Sequence, residues 1–240
     1  AHAALAEAAA CFERFNIDLM YALPGQTPGG LERDLEAALA YAPPHLSVYQ
    51  LTIEPNTRFA LAPPPLPDDD VASAMLDRIV ERTAAAGLER YEVSAFALPG
   101  RRCVHNLNYW EFGDYLGIGA GAHGKLSTPT GIVRQVRWRD PARYIEQALA
   151  GNAVSNETAV AAAELPFEYL LNALRLRGGT ELTRFTERTG LAPAALEPGL
   201  AQAIERGWLE LRGMRLVPTA RGYDFLNDVL ALFLDGRGAR

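Results

Sequence analysis

The segment Asn16 to Thr27, NIDLMYALPGQT, constrains the fold of this chain more than any other stretch, because it joins an apolar strand, an acidic residue, a sharp turn and a helix start. Ile17, Leu19 and Met20 supply the apolar run and Pro24-Gly25 breaks it. Thr27-Pro28 then reads as an N-cap followed by proline at the first helical position, with an amphipathic run from Leu31 to Leu39 beyond. The pattern returns as a second strand, His45 to Thr52 (HLSVYQLT). Strand, helix, strand is the βαβ unit of a parallel sheet, and the ligands of such sheets sit at the carboxyl ends of the strands. Asp18 lies within the first strand, and Gln50 and Thr52 close the second, so all three can face one pocket.

Further elements follow the same logic. A helix is expected over Asp68 to Ala86, and strands over Tyr91 to Ala97 and Tyr115 to Gly119. A connector from about 126 to 163 holds a turn (Thr128 to Gly131), a short strand (Ile132 to Val136) and a helix (Pro141 to Ala150). The remainder reads as helices Glu164 to Leu176, Leu182 to Thr189 and Ala194 to Arg206. A hairpin follows, Trp208 to Leu211 and Met214 to Val217 around Arg212-Gly213, then a closing helix, Ala220 to Leu234. Helix, turn, helix, hairpin is the winged-helix arrangement. The expected division is therefore 1–125, 126–163 and 164–240.

A winged helix invites a DNA-binding reading, and the charges argue against it. From Glu164 to Arg240 ten arginines meet ten acidic residues, and the would-be recognition helix, ALEPGLAQAIERG, offers two Glu and one Arg. A major-groove helix normally presents Arg, Lys, Asn or Gln to base edges while its neighbours engage phosphates. The whole chain carries a net charge of −6, which also argues against a general polyanion binder. The preferred role for this part is a packing or lid domain, and no nucleic-acid partner is expected.

No apolar run approaches the ~18 residues of a membrane span, and no basic segment followed by an apolar core marks a signal peptide. Two cysteines, Cys11 and Cys103, suit a reducing compartment, so a cytoplasmic protein is expected. Of the 23 basic residues only Lys125 is lysine; beside so much Ala and Pro, this is a coding bias rather than chemistry.

The two strands resemble the radical S-adenosylmethionine (SAM) enzymes of the oxygen-independent coproporphyrinogen oxidase family, and within it the HemW-type heme chaperones. The resemblance continues through LTIEPNT (Leu51 to Thr57), PPPLPDDD (Pro63 to Asp70), YEVSAFALPG (Tyr91 to Gly100), CVHNLNYW (Cys103 to Trp110) and YLGIGAGAHGK (Tyr115 to Lys125). It runs on into a family-like C-terminal domain and so covers nearly the whole chain. It implies an α/β fold, a partial radical SAM (β/α) barrel followed by a winged-helix-like C-terminal domain. Family members carry a CxxxCxxC motif whose thiolates hold a [4Fe-4S] cluster, and Cys11 and Cys103 are too far apart to build one. The chain also begins without Met inside the alanine-rich helical pattern AHAALAEAAACFERF. It is therefore expected to be the C-terminal part of a longer protein, lacking the first barrel strands. A natural cluster-free paralogue is the alternative.

The resemblance also implies sites. Positions matching Asp18, Thr52 and His123 contact SAM in the family, and Thr52 departs from the small residue common in the oxidase. An Asp at a strand can accept hydrogen bonds from a ribose or an amino group; the plain alternative is an inward carboxylate satisfied by backbone or a buried Arg. For His123 the alternative is a hydrogen-bonded loop histidine, beside Gly119, Gly121 and Gly124, which permit close approach of backbone to a ligand. Lys125 is expected at a solvated loop end, or against a carboxylate of SAM or a porphyrin propionate.

HNLNYW matches the HNxxYW motif associated with heme binding in HemW-like proteins. It implies His105 as axial ligand to heme iron, with Asn106, Tyr109 and Trp110 around the porphyrin and Cys103 as a second candidate ligand. Alternatively His105 and Asn106 cap a turn in a structural loop that Trp110 anchors. The function implied is a heme chaperone that delivers heme to respiratory hemoproteins, with room for peripheral membrane contact and a homodimer. Coproporphyrinogen III dehydrogenation is the alternative, so whether the protein is an enzyme stays open.

Overall fold

The computed structural model describes residues 1–234. Two compact units divide between Cys103 and Val104. The first contains α1 (His2–Cys11), β1 (Asn16–Tyr21), α2 (Pro28–Leu39), β2 (His45–Gln50), α3 (Arg58–Leu61), α4 (Asp69–Ala85), β3 (Glu89–Arg90) and β4 (Ala95–Ala97). Its sheet runs in the order β1-β2-β4-β3. β1 and β2 are parallel, with Asn16 beside His45, Asp18 beside Ser47 and Tyr21 beside Gln50, so the expected βαβ unit is present.

Local chemistry explains the helices. Thr27 Oγ1 accepts from the Gly30 N–H at 3.1 Å and Pro28 occupies the first turn, which starts α2. Asp68 caps α4 from the Val71 N–H at 2.8 Å, and Asp69 and Asp70 complement the positive helix start. Leu31, Leu35 and Ala38 of α2 fall on one face, as do Ala72, Met75 and Ile79 of α4. With Ile17, Tyr21, Leu46, Val48 and Phe96 they make the first core. Each fully buried Leu or Ile there contributes about 1.5–3 kcal/mol. Alternation along β1 and β2 leaves Asn16, Asp18 and Met20, with His45, Ser47 and Tyr49, on the other face.

One expected strand is divided. Tyr91 to Ala97 is strand only at its end, because Glu89–Arg90 folds back antiparallel onto Phe96–Ala97. The Arg90 guanidinium donates to the Val93 carbonyl at 2.6 Å and holds the turn between them.

The second unit contains α5 (Val104–Trp110), β5 (His123–Thr128), β6 (Gly131–Arg137), α6 (Pro141–Leu149), β7 (Val154–Ala159), α7 (Leu165–Ala173), β8 (Thr180–Glu181), α8 (Leu182–Thr189), α9 (Gly199–Glu205), β9 (Leu209–Arg212), β10 (Arg215–Pro218), α10 (Ala220–Asp224) and α11 (Leu226–Ala231). β5-β6-β7 form one antiparallel sheet and β8-β10-β9 another. Tyr169, Leu170, Phe185, Ala203, Leu216 and Val229 are its fully buried centre, and Phe112 and Ile132 join the same cluster.

Several expectations change here. Tyr115 to Gly119 is not a strand; only an isolated bridge joins Tyr115 to Lys125. The helix expected over Ala194 to Arg206 is a 3-10 turn, Pro193–Leu196, followed by α9, because Pro198 has no N–H to continue the ladder. The closing helix breaks at Phe225, whose φ of −107° and ψ of 38° leave the helical region. The end of the expected C-terminal domain, 235–240, lies outside the described residues.

Candidate functional site

HNLNYW is a helix, α5, rather than a loop. Helical spacing puts His105 and Tyr109 one turn apart on one face, with Asn106 and Trp110 on the next. The His105 ring meets Tyr109 edge-on with centroids 4.8 Å apart, Tyr109 packs on Tyr115 at 4.4 Å, and Trp110 lies 6.5 Å from Tyr109. His105 is exposed, and Asn106, Tyr109 and Trp110 are half-buried. Burial, then the neighbouring Tyr115, raises the Tyr109 hydroxyl above its ordinary value, so it stays a neutral donor near pH 7. Arg175 stands over the Trp110 ring with its guanidinium carbon 4.2 Å from the centroid, and Arg134 bridges Tyr115 and Glu168. The result is an aromatic surface with one solvent-facing imidazole.

The glycine-rich segment after α5 serves the chain's own path. A Cβ at Gly117 would lie 2.3 Å from the His123 carbonyl oxygen, and Gly119 and Gly121 have φ of +109° and +71°. Arg137 Nε donates to the Gly117 carbonyl at 2.9 Å, and the Gly119 N–H donates to Tyr144 Oη at 3.1 Å. His123 is the exposed first residue of β5.

Lys125 departs from both readings given to it. Its side chain is 2% exposed, donating to Asp114 Oδ1 at 2.8 Å and to the Phe112 carbonyl at 3.0 Å, with its ammonium 4.3 Å from the Phe112 ring centroid. Strand alternation turns this residue inward, so it is neither solvated nor free for a ligand carboxylate. Burial lowers the Lys125 pKa despite Asp114. Burial alone would raise the Asp114 carboxyl, but hydrogen bonds from Lys125 and Ser127 outweigh it and hold the pKa below its ordinary value.

In the first unit Asp18 sits mid-strand and exposed, accepting from Asn16 Nδ2 at 2.9 Å. Its partner is thus a side-chain amide, not backbone or a buried Arg. Thr52 lies past β2, exposed, and donates to Glu54 at 3.3 Å. Asn16, His45, Ser47 and Tyr91 form a connected polar group beside Asp18 that the sequence reading did not single out. Its signal was the period-2 alternation of NIDL and HLSV in parallel register. Burial lowers the His45 pKa, opposed by Asp18, so the ring is neutral near pH 7.

Cys11 is exposed and Cys103 half-buried, both free thiols. Among the described residues no group of three or more His, Cys, Asp or Glu could hold a metal ion, and no helix is long and apolar enough to cross a membrane.

Residues 160–225 match the family described as the HemN C-terminal domain. The chain is 43% identical over 221 residues to the heme chaperone HemW of Escherichia coli K12, an alignment covering 92% of this chain and 57% of that protein. The HemW of Haemophilus influenzae matches with the same identity and coverage. That of Bacillus subtilis is 32% identical over 229 residues, covering 93% of this chain and 59% of the relative. The chain thus spans somewhat over half the length of these relatives. The fold is similar to that of coproporphyrinogen III oxidase (HemN) from Escherichia coli, a radical SAM enzyme. The TM-score is 0.76 at 20% identity, covering 97% of this chain and 57% of that one. The mixed α/β fold, the C-terminal domain match and the identity across nine-tenths of the chain point the same way, and the chain is similar to the HemW-type members of the HemN-like proteins.

Proposed function

We propose that the protein is a heme chaperone that binds heme on the α5 surface and passes it to respiratory hemoproteins. The observation that carries this is His105, an exposed imidazole set edge-on against Tyr109, which itself packs on Tyr115, in a chain 43% identical to HemW chaperones. Neutral imidazole is a good ligand for heme iron, and aromatic faces pack on a macrocycle. Asn106 and Trp110 flank the ligand on the adjoining face. An exposed ligand suits a carrier, because cargo held at the surface can be handed on without opening a core. Cys103 is the reserve ligand. A dehydrogenase has only the shared fold in its favour, and fold does not fix function. Heme titration of wild type and His105→Ala tests the reading.

The same reading takes residues 1–125 as radical SAM barrel plus extension, 126–163 as a connector and 164–240 as a winged-helix-like domain. The order α7, α8, α9 and the β9-β10 hairpin supports the last. In the whole protein Asp18, Thr52 and His123 would contact SAM, which supplies a deoxyadenosyl group when bound. Asp18 fits such a contact: its Oδ2 has no protein donor among the described residues and can accept from a ribose hydroxyl or an ammonium. A [4Fe-4S] cluster does not fit Cys11 and Cys103, so its ligands would lie outside this chain. Free thiols support a cytoplasmic setting. Peripheral membrane contact and homodimerisation belong to the reading as options, and nucleic acid does not.

A further inference from the structure

The face of β1 and β2 turned away from the first core carries side chains bonded end to end. Tyr91 Oη lies 2.9 Å from His45 Nε2, and His45 Nδ1 lies 2.6 Å from Asn16 Oδ1. Ser47 Oγ donates to the same Oδ1 at 3.0 Å, and Asn16 Nδ2 donates to Asp18 Oδ1 at 2.9 Å. The direction of each bond follows from the exposed end. An ionised carboxylate only accepts, so the Asn16 amide must turn its NH2 toward Asp18 and its carbonyl back toward Ser47 and His45. A carbonyl also only accepts, so the His45 proton sits on Nδ1 and Nε2 receives the Tyr91 hydroxyl. His45, Ser47 and Tyr91 are 5%, 3% and 3% exposed, whereas Asp18 opens to solvent. A buried and directed set of bonds therefore ends on one oxygen of one exposed carboxylate.

We propose that His45, acting through Asn16, is a positioning residue that fixes the Asp18 carboxylate so that Oδ2 faces the ligand. The inference rests on the reading of Asp18 as a SAM contact. An unrestrained Asp rotates about two side-chain bonds, and that freedom must be lost when a ligand is bound. Here Asn16 holds Oδ1 and removes the rotation beforehand. Oδ2 is left as the acceptor for a ribose hydroxyl or an ammonium group.

The test uses the protein at its full natural length, titrated calorimetrically with SAM, with thermal melting of every variant. Asp18→Ala should weaken binding by about tenfold or more, the loss expected when a charged hydrogen-bonding group is removed. His45→Leu should weaken it by about three- to tenfold. His45→Asn, whose amide N–H can still donate to Asn16 Oδ1, should restore binding to near wild type. Asn16→Ala, at an exposed position, should match His45→Leu and covers the case in which the latter fails to fold. Imidazole nitrogen NMR of this chain without SAM should show the Nδ1–H tautomer of His45. If Asp18→Ala binds SAM normally, the Asp18 reading fails and the inference falls with it. If Asp18→Ala is weak while His45→Leu and Asn16→Ala bind normally, the inference alone is overturned. Equal loss in His45→Leu and His45→Asn, or an Nε2–H tautomer, overturns it as well.

Discussion

Lys125 Nζ lies 2.8 Å from Asp114 Oδ1, and this pair ties the chain's single lysine inside the second unit. The ammonium is almost fully enclosed while Asp114 is 39% exposed, so the two partners do not matter equally.

Removing Asp114 leaves a buried cation with only the carbonyl and ring of Phe112 beside it. Asp114→Ala should cost about 2 kcal/mol, below the range for a fully buried pair because water can reach the vacated side. The double variant Asp114→Ala with Lys125→Met should recover much of that loss, since the penalty lies in the uncompensated charge. Urea unfolding of the four proteins measures it, and simple additivity would contradict the account.

His45 should impose a pH dependence on the stability of the first unit. Burial sets its folded pKa below the ordinary value of 6.5, so between the two the unfolded chain binds more protons and stability rises with pH. The contribution is complete above about pH 6.5 and is lost as pH falls through the window beneath. Asp114, whose pKa is also depressed, loses its contribution separately, at pH below the ordinary carboxylate value of 3.8. His45→Asn should flatten the dependence of the urea midpoint in the upper window and leave the lower one. An unchanged slope there would show that His45 is not the group titrating.

β1 is the edge of its sheet and β2 is paired on both sides. In this chain alone the amides of β1 should exchange with solvent faster than those of β2, because only one side of β1 has a strand neighbour. Equal protection would mean that something else covers the edge.

Much of this architecture is legible in the sequence, where the deciding forces are local. Thr27-Pro28 and Asp68 start helices by capping, and the Leu31-Leu35 spacing reveals the buried face. What is not legible depends on distant partners. The inward turn of Lys125 follows from the β5 pairing and from Asp114, and composition says only that the residue is charged. The polar group at Asp18 needs the parallel register that sets Asn16 beside His45. HNLNYW shows its residue types openly, yet its helical form brings Tyr115 against Tyr109 from beyond the motif. The helix breaks at Pro198 and Phe225 fall in runs whose apolar spacing continues across them.

Anaerobic reconstitution of this chain with iron and sulfide should yield little bound iron and no 5'-deoxyadenosine, since Cys11 and Cys103 offer two thiolates where the cluster needs three. Stoichiometric iron in a folded sample would contradict that reading.

Heme titration followed in the Soret region reports on His105 as the axial ligand. It should be run on this chain and on the full-length protein, each as wild type, His105→Ala and His123→Ala. Removing the axial nitrogen should weaken heme binding about tenfold or more and shift the Soret band. His123→Ala should leave both nearly unchanged. A His105→Ala protein that binds heme with wild-type affinity and spectrum, or wild-type proteins that bind no heme at either length, would contradict the account.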